Sequence, residues 1–213
     1  MPIVPNTVDL ANWVLYDRIT AAQGTTSASA YQFFSQPIGQ NSKTKVDTNI
    51  TMVKMLEAPQ WFNAQTIGFE FSPGMFVADV LAFMQAYYFE FWVGQKIYAE
   101  GPLDCAQSGY GASFSGYAAT TAATTTVQEA VVNNGDPAGM PSFSLVLPAG
   151  ITDANGQPLP GANGINGVSI LQNQSFWVNL VSVAGVSLTA TAAGGTGLSL
   201  RCFLTGILSR GAQ

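Results

Sequence analysis

The chain has 213 residues, of which 7 are Lys or Arg, 12 are Asp or Glu and none is His, for a formal net charge of -5. Charged residues make up 9% of it and hydrophobic ones 47%, where ordinary soluble domains carry roughly a quarter of their residues charged. Without His the Ser-His-Asp and Cys-His arrangements and the commonest metal ligand are gone, and seven scattered cations are too few for a phosphate-neutralising surface, so neither catalysis, nor a cofactor, nor specific nucleic-acid binding is expected.

The amino terminus, MPIVPNTVDLANW, lacks the basic start and long apolar run of a signal peptide. From Thr7 to Ala22 the apolar residues Val8, Ala11, Leu15 and Ile19 recur at three- or four-residue steps, and Asn6 or Thr7 is placed to cap a first turn. This spacing predicts a helix, either docked on its own domain or reaching a neighbouring subunit through Val8, Leu15 and Ile19. Residues 1–30 are therefore expected to be an N-terminal helix and arm, and residues 31–213 the main domain.

After a polar loop over Gln23–Ser29, the alternation of Ile50, Met52 and Lys54 with Thr51, Val53 and Met55 predicts a strand closed by Pro59. In TIGFEF, Ile67, Phe69 and Phe71 share one face, the two-residue repeat of a half-buried strand. Phe76–Ala86 is predicted as a short helix with Phe76, Val80, Phe83 and Tyr87 on one side. Tyr88–Val93 and Gln95–Ala99 follow as strands about a turn or bulge at Gly94. Met75–Val93 is broken by Asp79, Gln85 and Glu90, which argues against a membrane-spanning helix.

The aromatic run containing Phe89, Phe91 and Trp92 is expected to fill the space between two sheets rather than to form a ligand platform. Glu90 and Glu100 fall on separate segments, and nothing in the sequence sets them across a scissile bond. Further on, Thr120–Val127 is almost all Ala and Thr, a small-residue strand or an extended surface segment, and Asn133–Pro141 and Asp153–Gly167 are turn-rich. Phe143–Leu147, Val168–Leu171, Ser175–Val183, Val186–Ala192 and Leu198–Leu208 are predicted strands. Phe176 and Trp177 lie on opposite faces of one of them. Arg201, set among apolar residues, is expected either at an edge or subunit contact or in simple exposure. Cys105 and Cys202 lack metal-ligand spacing and either pair or stay as buried thiols. PGANGINGV and ITDANG carry neither a phosphate loop nor a full calcium loop.

Short strands joined by Gly-rich turns predict an all-β sandwich or barrel rather than alternating α and β units. The stretches IGFEFSP, FEFWVGQKIYAEGPL, ILQNQSFWVNL and LRCFLTGILSR together resemble the single jelly-roll major capsid proteins of tail-less icosahedral bacteriophages. Phe89–Leu103, with Gly94, Lys96, Tyr98, Glu100 and Pro102 in order, and Asn173–Leu180 carry most of the likeness. The resemblance implies a single jelly roll of about eight antiparallel strands, with one or two short helices and long loops. It implies a self-assembling shell subunit of the virion, forming trimers or pentamers, beside a second capsid protein or spike and above an internal viral membrane. A minor virion or spike-base protein is the first alternative. A carbohydrate- or receptor-binding sandwich using Trp61, Trp92 or Trp177 is the second.

Overall fold

The computed structural model describes residues 9–72, 77–106, 113–115, 130–132, 143–145, 167–188 and 197–210. Its strands are β1 (Asp9–Ala21), β2 (Ala30–Phe33), β3 (Trp61–Phe71), β4 (Tyr88–Val93), β5 (Lys96–Pro102), β6 (Ser113–Ser115), β7 (Ala130–Val132), β8 (Phe143–Ser144), β9 (Val168–Ile170), β10 (Phe176–Val181) and β11 (Leu198–Arg210). One α-helix, α1 (Val77–Ala86), joins β3 to β4. Among the described residues no helix is long and apolar enough to cross a membrane.

The architecture is an all-β sandwich, as the alternating segments predict. One sheet runs β1-β11-β3, with β8 and β9 both on the far edge of β3, and the other runs β2-β10-β4-β5. All of these pairings are antiparallel. β6 and β7 pair with each other apart from both sheets.

β8 and β9 share one strand position. Phe143 and Ser144 pair with Ile67 and Thr66, the Leu145 amide donates to the Gln65 carbonyl, and Val168, Ser169 and Ile170 continue opposite Ala64, Asn63 and Phe62. Leu145 and Val168 thus fall at successive positions along this edge, to which the chain returns at Gly167. At the return a Cβ on Gly167 would stand 2.5 Å from the Ala64 carbonyl oxygen, so the approach needs glycine. With β8 and β9 counted once, the described residues make eight strand positions in the sandwich: first pairs with last, second with seventh, third with sixth and fourth with fifth. That is one antiparallel ribbon folded at the β4–β5 turn and wound into two layers.

The predicted amino-terminal helix is a strand instead. β1 pairs with β11 at 13 positions from Asp9 opposite Arg210 to Ala21 opposite Leu198. Leu15, Asp17 and Ile19 are buried in alternation with Tyr16 and Arg18. The four-residue step from Leu15 to Ile19 suits either period, and the polar Asp17 hides the two-residue repeat. Leu15 and Ile19 therefore belong to the core and not to an intersubunit helix, while Val8 lies outside the described residues. The strand expected over Asn49–Met55 is also absent: the stretch holds an isolated bridge between Met52 and Met55, and Lys54 has φ of 55°, a left-handed conformation that interrupts a ladder. Gly94, with φ of 63°, makes the expected turn between β4 and β5. The described part of Val186–Ala192 forms a single bridge, Ser187 to Thr26. Thr120–Val127 and Asn133–Pro141 lie outside the described residues.

The core is aromatic. Phe69 of β3 reaches across the layers to Phe33 of β2 and Phe89 of β4, with ring centroids 5.9 and 5.6 Å away. Phe34 meets Phe176 at 5.3 Å. α1 closes one end by burying Val80, Phe83 and Met84, with Phe83 stacked on Tyr87 at 3.9 Å. The Tyr87 hydroxyl lies 2.7 Å from Ser27 Oγ and donates to the Ala28 carbonyl, so the ring is satisfied at its polar tip. Truncating a phenylalanine in such a core costs about 3–5 kcal/mol.

A bulge fixes the fit of β3 to β11. Thr205 faces Thr66 but Gly206 faces Ala64, leaving Gln65 as the extra residue. A Cβ on Gly206 would fall 1.9 Å from the Asn63 carbonyl oxygen, so any side chain displaces backbone. Gly206→Ala is expected to lower stability by about 3 kcal/mol, seen as an earlier urea midpoint at unchanged slope; a wild-type midpoint contradicts the packing described.

Candidate interaction surfaces

The first surface is the open side of the sandwich, between the edges of β1 and β2. Asp17 points inward from β1 and is fully buried. Its carboxylate accepts the Phe34 amide at 2.6 Å and the Lys43 ammonium at 2.5 Å. Burial pushes the Asp17 carboxyl above the ordinary carboxylate value, although Lys43 and the Phe34 amide both pull it down. Next to it Arg18 pairs with Asp47. Above these pairs lies a polar groove of about 560 Å³ lined by Arg18, Thr20, Tyr31, Gln32, Ser35 and Lys43, among others. Each cation on its wall already has a carboxylate, so the groove presents neutral hydrogen-bonding chemistry.

The second surface is the outer face of the β2-β10-β4-β5 sheet. Alternation turns Phe89, Phe91 and Phe176 into the core and Trp92 and Trp177 outward. The two indoles sit directly opposite in the β10–β4 register and stack with centroids 5.8 Å apart and 9° between planes. Lys54 Nζ lies 5.0 Å from the centre of the Trp177 ring. One row along, Glu90 accepts hydrogen bonds from Trp92 Nε1 at 2.8 Å and Asn179 Nδ2 at 3.2 Å, and Gln32 donates to Asn179 Oδ1 at 3.0 Å. The indoles are thus engaged by each other, by a cation and by a carboxylate of the same chain, which reduces the flat surface open for sugar stacking. Trp61 is half-buried at the start of β3.

The third surface is the outer face and edge of the sheet that contains β1. Arg201 lies on β11, between β1 and β3, so the edge position considered from sequence is incorrect. Its guanidinium reaches Glu70 at 3.6 Å and the Val46 carbonyl at 3.3 Å, and lies 6.0 Å from the Phe203 ring. Burial raises the Glu70 carboxyl, against the pull of Arg201. Along the free edge of β1, Asn49 acts as a substitute strand: its Oδ1 accepts the Tyr16 amide, its Nδ2 donates to the Val14 carbonyl, and its own amide donates to the Tyr16 carbonyl. Among the described residues no loop hydrogen bond reaches the edge beyond Val14, where Leu10, Trp13 and Val14 are 59%, 39% and 41% exposed, although Trp13 lines a pocket together with Asn49, Thr51 and Glu57.

Of the residues singled out from sequence, Trp92 and Trp177 are brought together, Phe89, Phe91 and Phe176 share the core, and Arg201 stands apart on the opposite sheet. Sequence reasoning did not place Asp17 in the core or set Lys43 and Asn49 beside β1. An ionisable residue at an inward position between Leu15 and Ile19 was the available signal for the first of these. Cys105 and Cys202 are both free, the first exposed and the second buried, and burial followed by the nearby Asp17 pushes the Cys202 thiol well up. Among the described residues no group of three or more His, Cys, Asp or Glu is placed to hold a metal ion. Comparison with protein-family models, with curated proteins and with solved structures gave no match.

Lys43→Met leaves the buried Asp17 carboxylate without its counter-ion, a change expected to cost about 3 kcal/mol at neutral pH. Because the folded state holds the Asp17 proton more tightly than the unfolded one, Asp17's contribution weakens as pH rises from the ordinary carboxylate value through the raised folded one. Acidification should therefore shrink the Lys43→Met deficit. Urea unfolding of both proteins at pH 7 and near pH 4.5 checks this; a deficit that grows towards acid contradicts the assignment.

Proposed function

We propose that the chain is a jelly-roll structural subunit of an icosahedral virus shell. The observation that carries this reading is the strand order. With β8 and β9 as one interrupted strand, each strand position pairs with its opposite in a ribbon of eight, which supports a jelly roll, an architecture of viral capsid and lectin domains. The sequence resemblance in Phe89–Leu103 and Asn173–Leu180 favours the capsid use over the lectin use. So does the Trp92–Trp177 pair, whose stacked rings and Lys54 neighbour leave little open indole face.

Charge placement also supports a mechanical role. Of the seven basic residues, Arg18, Lys43, Arg201 and Arg210 are in ion pairs and Lys54 and Lys96 lie against aromatic rings. Surfaces with few unpaired cations meet other protein with little desolvation cost. In this role the protein works by burying area between copies, in the virion, beside a second capsid protein or spike and over an internal membrane. No bond is made or broken.

Purified protein examined by size-exclusion chromatography with light scattering and by negative-stain microscopy is expected to give capsomers or shells. A monomer across a broad range of concentration and salt overturns the reading. Protein copy number in purified particles, measured by mass spectrometry, should place this chain among the most abundant components; a few copies per particle would assign it to a vertex or spike base instead.

A further inference from the structure

We propose that the amino-terminal half of β1, Asp9–Trp13, is a pairing edge for the same strand of a second copy, running antiparallel across a two-fold axis at Ala11. The argument begins with the other edges, which are protected. β5 carries Lys96, Glu100 and Pro102 and is bulged where Tyr98 is left opposite no single residue of β4. β2 has four residues, and the Phe34 amide beside it is taken by Asp17. The edge opposite β1 is made of β8 and β9, two strands of only two and three residues. β1 itself is covered from Val14 to Asp17 by Asn49 and Thr48. Charges, prolines, bulges and short strands are the usual means by which a sheet edge avoids another chain. Among the described residues, Asp9–Trp13 is a stretch of edge with none of them beyond Asp9, whose carboxylate lies 3.7 Å from Arg210.

The hydrogen-bonding side of this stretch follows from the loop contacts. The Tyr16 amide and carbonyl both face the free edge, since Asn49 and Thr48 bind them. Main-chain groups alternate sides with a two-residue period, so those of Leu10 and Asn12 face the same way. An antiparallel partner in the register proposed sets Leu10 against the partner's Asn12 and Asn12 against the partner's Leu10, giving four main-chain hydrogen bonds. Ala11 then faces the partner's Ala11 as a non-hydrogen-bonded pair, and Trp13 faces the partner's Asp9.

The occupant is argued from charge and shape. Arg210 lies 5.3 Å from the Trp13 ring, and its Nε is buried without a hydrogen-bond partner. The partner's Asp9 arrives beside Trp13 and this guanidinium, and the symmetry repeats the contact on the other side. A two-fold places the apolar Leu10 and Val14 of each copy at the same seam. The paired segment is short, well under the roughly 800 Å² per partner of a standard interface, so the contact is weak by itself. It does not depend on the shell reading.

Cysteine cross-linking tests the register. In a Cys105→Ser background, Ala11→Cys puts two thiols at the separation of a non-hydrogen-bonded antiparallel pair, about 4.5 Å between Cα atoms, within disulfide reach. Under mild oxidation the dimer should form about tenfold faster than for Thr20→Cys, an exposed position on the same strand, because pairing raises the local thiol concentration. Asn12→Pro removes an edge amide without touching the β1–β11 ladder, and Leu10→Lys adds a charge to the seam; each should cut the Ala11→Cys rate back towards that control. The Lys variant carries the comparison if the Pro variant fails to melt cooperatively. Equal rates for Ala11→Cys and Thr20→Cys, or a fast rate that folded edge variants leave unchanged, overturn the proposal. Shells that form without this cross-link overturn the contact while leaving the shell reading in place; the cross-link without shells does the reverse.

Discussion

The sandwich depends on a long-range closure, the pairing of β1 with β11 at 13 positions between opposite ends of the described chain. Because the strands form one ribbon, only the β4–β5 turn is local, and every other rung waits for the chain between its strands to be gathered in. Contacts of such sequence separation carry the largest loop-closure cost. Phe69 offsets part of it by packing against Phe33 and Phe89 in the facing sheet, since aromatic burial is the strongest non-directional gain available. Asp17 adds direction. It places a carboxylate between β1, the Phe34 amide after β2 and Lys43 in the following loop, and so ties β1 to the other layer.

That arrangement explains why a polar residue occupies a core position. The loop from Gly39 to Leu56 makes no ladder of its own, yet it must lie along β1 to shield the edge. Lys43 on Asp17, Asp47 on Arg18, the Lys45 carbonyl on the Tyr16 hydroxyl and Asn49 on the Val14 and Tyr16 main chain hold it there. A purely apolar position 17 would pack as well but would not select this loop path. The burial cost of the pair is offset by a defined edge, a trade of stability for specificity that buried ion pairs make in some proteins.

The legible parts of the sequence were those in which each layer enforces strict alternation. TIGFEF, YYFEFWV and SFWVNL declare their buried faces, and Gly94 its turn. β1 resembles a helix in sequence because Leu15 and Ile19 are four apart, a step common to both periods, and Asp17 stands where an apolar residue would disclose the strand. Asn49–Met55 misled in the opposite direction: it alternates, but left-handed Lys54 and the duties of Asn49 as an edge cap give it a loop's path. Pairing order was illegible for another reason. Which strand lies beside which depends on contacts between segments far apart in sequence, so the Trp92–Trp177 stack and the Asp17–Lys43 pair exist only once the ribbon is wound.

The scarcity of charge acquires a more specific sense from these placements. All the cations but Lys45 are tied to carboxylates or laid on rings, which leaves few unpaired cations on the outer faces. Such faces gain little from long-range attraction and little from any one contact, because association must first offset lost translation, rotation and side-chain freedom. Weak contacts become decisive when many are made by the same rigid body, since each one formed raises the effective concentration for the next. On the proposed shell reading, an aromatic core of this kind supplies the rigid body that such a regime requires. Free charge at those surfaces would work against this, since each unpaired ion buried in a contact brings a desolvation cost larger than the gain of one weak interface.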